Sequence, residues 1–370
     1  MKKKFLSKVQ RTMLAVGLIL DVATMGACSL LSSSSATSAN VFAVDSKNGN
    51  VYEIDTDSTQ SASTPLVSIQ QNATGEMIVH GTKAFIAVGS YSNSSPGLYW
   101  VNLSSSTPSA QKIGSNMSAQ YLCIASDTKG YVSTADYSGV YPNAVYSFNP
   151  GNPSAGLGSA VTGFDSGFYP QDLAFAEDDN GNRHVFVTDN ANNKVYRLNE
   201  AGTAVDLSFA TSAGGTTGLL PGSYDWDNNG SDDEGVFVAN SGGYDLSWNP
   251  LPGSIDFIPV AASTGSDIVS VQSNLSVGRL AAFDSNHLVG TNYSQTWLID
   301  LTKLSSDSGR LTEVKNGSTS FGSLDVNTYG GYAYVPNGAQ TVYRFDSDGT
   351  VTAIAVGTSG EMITNVAVRE

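Results

Sequence analysis

Apolar positions along this chain fall in short consecutive runs rather than in the one-in-two or one-in-four rhythm of half-buried elements. A run of the form apolar-aromatic-x-apolar-Asp/Asn recurs as Val51-Tyr52-Glu53-Ile54-Asp55, Leu98-Tyr99-Trp100-Val101-Asn102, Val145-Tyr146-Ser147-Phe148-Asn149 and Val195-Tyr196-Arg197-Leu198-Asn199. It returns as Thr296-Trp297-Leu298-Ile299-Asp300 and Val342-Tyr343-Arg344-Phe345-Asp346, with a degenerate copy at Ile255-Asp256-Phe257-Ile258-Pro259. Ahead of each copy stands a second run, from Val41-Phe42-Ala43-Val44 through Val185-Phe186-Val187 to Ala333-Tyr334-Val335. Runs this short, rich in Val, Ile, Tyr and Phe and bounded by Gly, Asn and Ser, predict strands buried on both faces. Seven such pairs predict seven small sheets, each sandwiched between neighbours.

A third predicted strand lies upstream of each pair and carries Gly-x-Leu/Met at Gly75-Glu76-Met77, Gly218-Leu219-Leu220, Gly278-Arg279-Leu280, Gly322-Ser323-Leu324 and Gly360-Glu361-Met362. Tyr121-Leu122 and Asp172-Leu173 are looser versions of it. The first pair, Val41 to Asp55, has no such strand before it, and the last, Met362 to Val368, has no pair after it. Together the two ends make one complete blade, so the sequence predicts an all-β, seven-bladed β-propeller over residues 40–370 with its ring closed by terminal strands sharing a blade. On these residues the chain resembles the YVTN and NHL-type propellers of bacterial envelopes. The NHL likeness is strongest at Val185-Phe186-Val187-Thr188-Asp189-Asn190-Ala191-Asn192-Asn193-Lys194-Val195-Tyr196. The resemblance implies architecture far more than activity.

The N-terminal residues change the expected compartment. Lys2, Lys3, Lys4, Lys8 and Arg11 precede an apolar stretch from Met13 to Leu20 that is too short to span a bilayer, as in an export signal over 1–27. Met25-Gly26-Ala27-Cys28 resembles the lipobox of bacterial lipoproteins, which implies acylation of Cys28 and a Ser-rich tether over 28–39. That places the protein in the cell envelope, at the outer membrane or cell surface, with the lipid as its membrane contact. The alternative is cleavage after Ala39 and a soluble secreted or periplasmic protein.

Acylation of Cys28 leaves Cys123 as the one remaining thiol, so no intrachain disulfide is expected. Without residues 1–27, which hold five basic and one acidic residue, 13 basic and 32 acidic residues remain, a net charge of −19. Such a surface argues against nucleic-acid and anionic-lipid partners.

Asp225-Trp226-Asp227-Asn228-Asn229-Gly230-Ser231-Asp232-Asp233 sets oxygen donors at alternate positions of a tight turn between two predicted strands. This spacing suits Ca2+, with Asp225, Asp227, Asn229, the Ser231 carbonyl and Asp233 as ligands. The loop resembles the FG-GAP blades of integrin propellers and lacks the twelfth-position Glu of an EF-hand. The other reading is a solvated acidic turn. No organic cofactor is expected, because phosphate-cradling loops, Cys/His metal spacings and nucleophile elbows are absent from the sequence.

Two function classes follow. In the first, a binding or scaffold protein recognises a protein or glycan through aromatic loops between the second and third strands of its blades, with Tyr91, Tyr137, Tyr141, Tyr244, Trp248 and Tyr293 as contact residues. In the second, a hydrolase or lyase similar to propeller lactonases acts at the central channel, where Glu76, Asp172, Arg279 and Glu361 share one strand position and His80 stands nearby.

Overall fold

The computed structural model describes residues 40–369 apart from 58, 59, 62, 228 and 246. The export signal, Cys28 and the tether lie outside the described residues. Seven antiparallel sheets follow one another along the chain; five are built from four consecutive strands, A to D from the axis outward, blade six adds a fifth strand at its rim, and blade one draws on both ends of the chain. Strand A is Met77–His80 in blade two, Ala119–Ser126 in blade three, Pro170–Glu177 in blade four and Thr216–Tyr224 in blade five. It is Arg279–Asp284 in blade six and Asn327–Tyr329 in blade seven. Blade one takes its strand A from the other end of the chain: Ile363–Val368 pairs with Val41–Asp45 in the register Val41↔Val368, Ala43↔Val366. Every inner strand touches the next around the ring, including blade seven to blade one and blade one to blade two. The fold is a seven-bladed β-propeller.

The consecutive apolar runs are explained by where alternate side chains go. In strand B of blade one, Phe42 and Val44 pack into the core shared with blade two, while Val41 and Ala43 pack into the core shared with blade seven. Blade two repeats this, with Ala84, Ile86 and Val88 in the first core and Phe85 and Ala87 in the core shared with blade three. One apolar cluster fills each of the seven blade interfaces. The strand period of two is present but apolar on both sides, so it reads as a continuous run.

The structure moves two predicted inner strands. Strand A of blade seven begins at Asn327, five residues after Gly322, and Leu324 is half exposed. In blade one it begins at Ile363, just beyond Met362. Register then fixes which residues share the channel position. In six blades these lie one place before an inner-strand residue paired to strand B, namely Glu76, Tyr121, Asp172, Gly218, Arg279 and Asn365, while in blade seven Asp325 lies two places before Asn327, which pairs with Tyr334.

Candidate functional site

Two regions gather chemistry: the axial channel, and a cleft on the face where the B–C and D–A loops emerge. The channel is a cavity of about 430 Å3 lined by all seven inner strands. Glu76, Asp172 and Arg279 line it as the sequence suggested, joined by Asp325, which sequence reasoning missed. Glu361 is not there. Its carboxylate accepts a hydrogen bond from the Tyr52 hydroxyl at 3.1 Å and from Gln340 Nε2 at 2.9 Å, away from the channel lining. The Asp-apolar pair Asp325-Val326, repeating Asp172-Leu173, was the signal for the correct residue. His80 also lies apart, its Nε2 2.8 Å from Asp127 Oδ1.

Each channel carboxylate buckles its own blade to the next. Glu76 accepts the Leu122 N–H at 2.7 Å, Asp172 the Leu219 N–H at 2.8 Å, and Asp325 the Val366 N–H at 2.7 Å. Arg279 reaches two blades back to hydrogen-bond Asp172 and the Thr217 carbonyl, with its guanidinium 4.2 Å from the centre of the Tyr121 ring. Glycine at the blade-five position makes this crossing possible. A Cβ on Gly218 would sit 2.6 Å from the Gly278 carbonyl oxygen and 3.4 Å from the Arg279 Cα.

Three carboxylates face one guanidinium, Asp172 and Asp325 buried and Glu76 half-buried, and desolvation raises the pKa of all three. For Glu76 the charge of Asp172 adds to burial, whereas Arg279 and backbone N–H groups oppose it for Asp172. Burial opposes the charge of Arg279, but Asp172 and the other acids hold its pKa above its ordinary value. The Cys123 thiol, also in the lining, is pushed well up by burial and by Glu76, which leaves it a poor nucleophile.

Asp325 is raised from 3.8 to about 6. Its folded pKa exceeds its unfolded one, so its stabilising contribution is complete below about pH 4 and is lost as pH rises through about 6. The span is about 3 kcal/mol. Urea unfolding at pH 4.5 and 7.5 is expected to show a decline to which Glu76 and Asp172 also contribute, and a smaller decline in Asp325→Asn, which keeps an acceptor for Val366. An unchanged pH dependence in the variant contradicts the assignment.

The second region is a cleft of about 590 Å3 between blades two and three. Its walls are the B–C loops 89–96 and 135–143, and its floor includes Ser118 and Gln120 from the start of strand A of blade three. It gathers Tyr91, Tyr137 and Tyr141 and adds Tyr169, which the sequence reading did not select. Tyr91 is 81% exposed and Tyr137 97%, although both line a concave site.

Asp136 holds the cleft together. It accepts hydrogen bonds from Ser90 Oγ across the blade boundary at 3.0 Å, from the Ser138 N–H and hydroxyl, and from the Tyr141 N–H at 2.8 Å. Burial works against its charge, but these four donors outweigh it and hold the carboxyl below its ordinary range. Tyr244 and Trp248 lie outside this cleft as a tilted pair with ring centroids 6.1 Å apart in the blade-five B–C loop, and Tyr293 stands in the blade-six loop. All three are exposed.

The oxygen-rich loop forms the A–B turn of blade five. Asp225 Oδ1 and Asp227 Oδ1 both accept the Asn229 N–H, at 2.9 and 3.1 Å, so these two carboxylates converge. The Asn229 carboxamide accepts the Ser231 N–H at 2.8 Å. Asp233 instead opens strand B, paired with Tyr224. Among the described residues, no group of three or more acidic, His or Cys side chains converges on one point.

No protein-family model and no curated protein matches the chain. Many solved structures share its fold. A functionally unknown protein from Desulfotomaculum acetoxidans is similar over 90% of this chain and 99% of its own, at 14% identity and a TM-score of 0.61. The computationally designed Ika8 protein is similar over 89% of this chain and 88% of its own, at 12% identity and a TM-score of 0.55. Hydrazine synthase from Kuenenia stuttgartiensis is similar over 75% and 77%, at 12% identity and a TM-score of 0.53. At such identities these likenesses bear on the fold alone.

Proposed function

We propose that this chain is a cell-envelope propeller that binds a protein or glycan partner through its loop face, held to the membrane by a lipid on Cys28. The observation that carries this reading is the tyrosine-walled cleft between blades two and three. It is concave, of ligand size, and walled by tyrosines over a cross-blade hydrogen-bonded floor. The channel acids favour it too, since each is tied to a backbone amide that locks neighbouring blades.

Capture from envelope extract tests the proposal. Tyr141→Ala and Trp248→Ala are each expected to weaken binding by roughly 30-fold or more, the scale of interface hot spots. Glu76→Gln should leave it unchanged. Full capture by both loop variants, together with an activity lost in Glu76→Gln, reverses the reading in favour of channel chemistry.

Calcium at the blade-five turn belongs to the same proposal. Asp225, Asp227, Asn229 and Asp233 and the Ser231 carbonyl supply only oxygen, the donor a hard cation takes, and the first two carboxylates already converge. Calcium at a hundred times its dissociation constant would add roughly 2.7 kcal/mol of stability. Chelator is therefore expected to lower the melting temperature of wild type but not of Asp227→Ala. An equal response in both argues for a plain acidic turn.

A further inference from the structure

We infer that the cleft between blades two and three is a binding site for a neutral carbohydrate. The inference rests on the loop-face reading above and narrows it to one site and one class of ligand.

Electrostatics narrows the choice first. Asp136 is the one charged side chain in the lining. It is already surrounded by four protein donors, from Ser90, Ser138 and Tyr141. A cationic ligand would meet a carboxylate whose acceptor capacity is taken up, and displacing those donors would cost the bonds that join blades two and three. An anionic ligand would approach both this fixed negative charge and a strongly acidic chain.

What the cleft offers is neutral. The Gln120 side-chain nitrogen is committed to Ser118 Oγ at 3.2 Å and to the Ala135 carbonyl at 3.2 Å, which leaves its side-chain oxygen as an acceptor on the floor. Around the rim stand the phenols of Tyr91, Tyr137, Tyr141 and Tyr169. Tyr169 is kept protonated, its pKa raised by burial first and then by the Asp136 charge, so its hydroxyl stays a donor.

Flat aromatic faces beside neutral hydroxyl and amide groups match the two-sided chemistry of a sugar ring. Its C–H face packs on an aromatic plane, and its hydroxyl edge exchanges hydrogen bonds with neutral donors and acceptors. The volume, about 590 Å3, lies inside the range of roughly 300–1,000 Å3 typical of small-ligand clefts. An apolar or purely aromatic ligand would leave the Gln120 side-chain oxygen unmatched.

The probes are neutral gluco-, galacto- and manno-oligosaccharides, set beside uronate and amino-sugar counterparts of the same length, and titrated into the domain spanning residues 40–370. A neutral saccharide is expected to bind best. Tyr91→Ala and Tyr137→Ala should each lower its affinity tenfold or more, and Tyr137→Phe should recover most of that loss by restoring the ring. Both positions are so exposed that truncation leaves the fold intact. Leu304→Ala, at an exposed position of blade six away from the binding face, should change nothing.

Preference for the charged probes overturns the ligand class, and neutral binding indifferent to Tyr91→Ala and Tyr137→Ala overturns the site. Failure of every saccharide, while Tyr141→Ala and Trp248→Ala still impair capture from envelope extract, overturns the carbohydrate inference and leaves the loop-face reading standing. Failure of both assays removes the two together.

Discussion

Ending the chain after Ser359 is expected to abolish cooperative unfolding. The lost segment contains strand A of blade one, the sole hydrogen-bonding partner of the inner edge of Val41–Asp45. Ile363 and Val366 are buried in the core between blades seven and one, and Ala367 in the core between blades one and two. Full burial of an Ile or Val contributes about 1.5–3 kcal/mol. The truncation also removes the Met362 N–H bond to Asp45 at 2.9 Å and the Val366 N–H bond to Asp325 at 2.7 Å. Opening one ring interface exposes two cores and a bare strand edge, a loss comparable to the roughly 5–15 kcal/mol stability of a whole domain. Near-ultraviolet circular dichroism against temperature should show a broad, shallow change in place of a transition. A peptide covering residues 360–370 should restore part of the transition by adding back the strand. Unchanged melting of the truncated chain contradicts ring closure.

The second large effect is expected at Arg279. Replacing it with Met removes the one cation of the channel and leaves Asp172, Glu76 and Asp325 facing one another in a buried site. Removing one partner of a buried pair typically costs about 3–5 kcal/mol, because the other charge stays behind unpaired. Arg279→Met should therefore lower stability by about that amount at pH 7.5 and by much less at pH 4.5, where the acids bind protons. Combining it with Asp172→Asn should recover most of the loss. Equal destabilisation at both pH values, with no recovery in the double variant, shows that packing over Tyr121 matters more than the charge.

The blade count was legible because each blade repeats the same apolar runs, and because burial on both faces turns a strand into an uninterrupted apolar stretch, as at Val185-Phe186-Val187. Strand D was not legible. Segments such as Ala110–Ile113 and Leu157–Ala160 lie at the outer rim, bury few side chains and so carry little apolar signal. Asp325 was missed because the Gly-x-Leu pattern at Gly322-Ser323-Leu324 mimics an inner strand three residues too early, and Gly360-Glu361-Met362 drew Glu361 into the channel by a similar false analogy. Tyr91, Tyr137 and Tyr141 could be placed on one face from the strand order alone. Their convergence into one cleft, with Tyr169 arriving from blade four, depends on loop paths that no local pattern specifies.

Hydrogen exchange in the presence and absence of the tightest-binding saccharide tests most directly whether recognition belongs to the loop face and the channel to the framework. The account predicts new protection in loops 89–96 and 135–143, with the inner-strand amides of Leu122, Leu219 and Val366 equally slow in both states. Protection confined to those inner strands, with both loops unchanged, contradicts it.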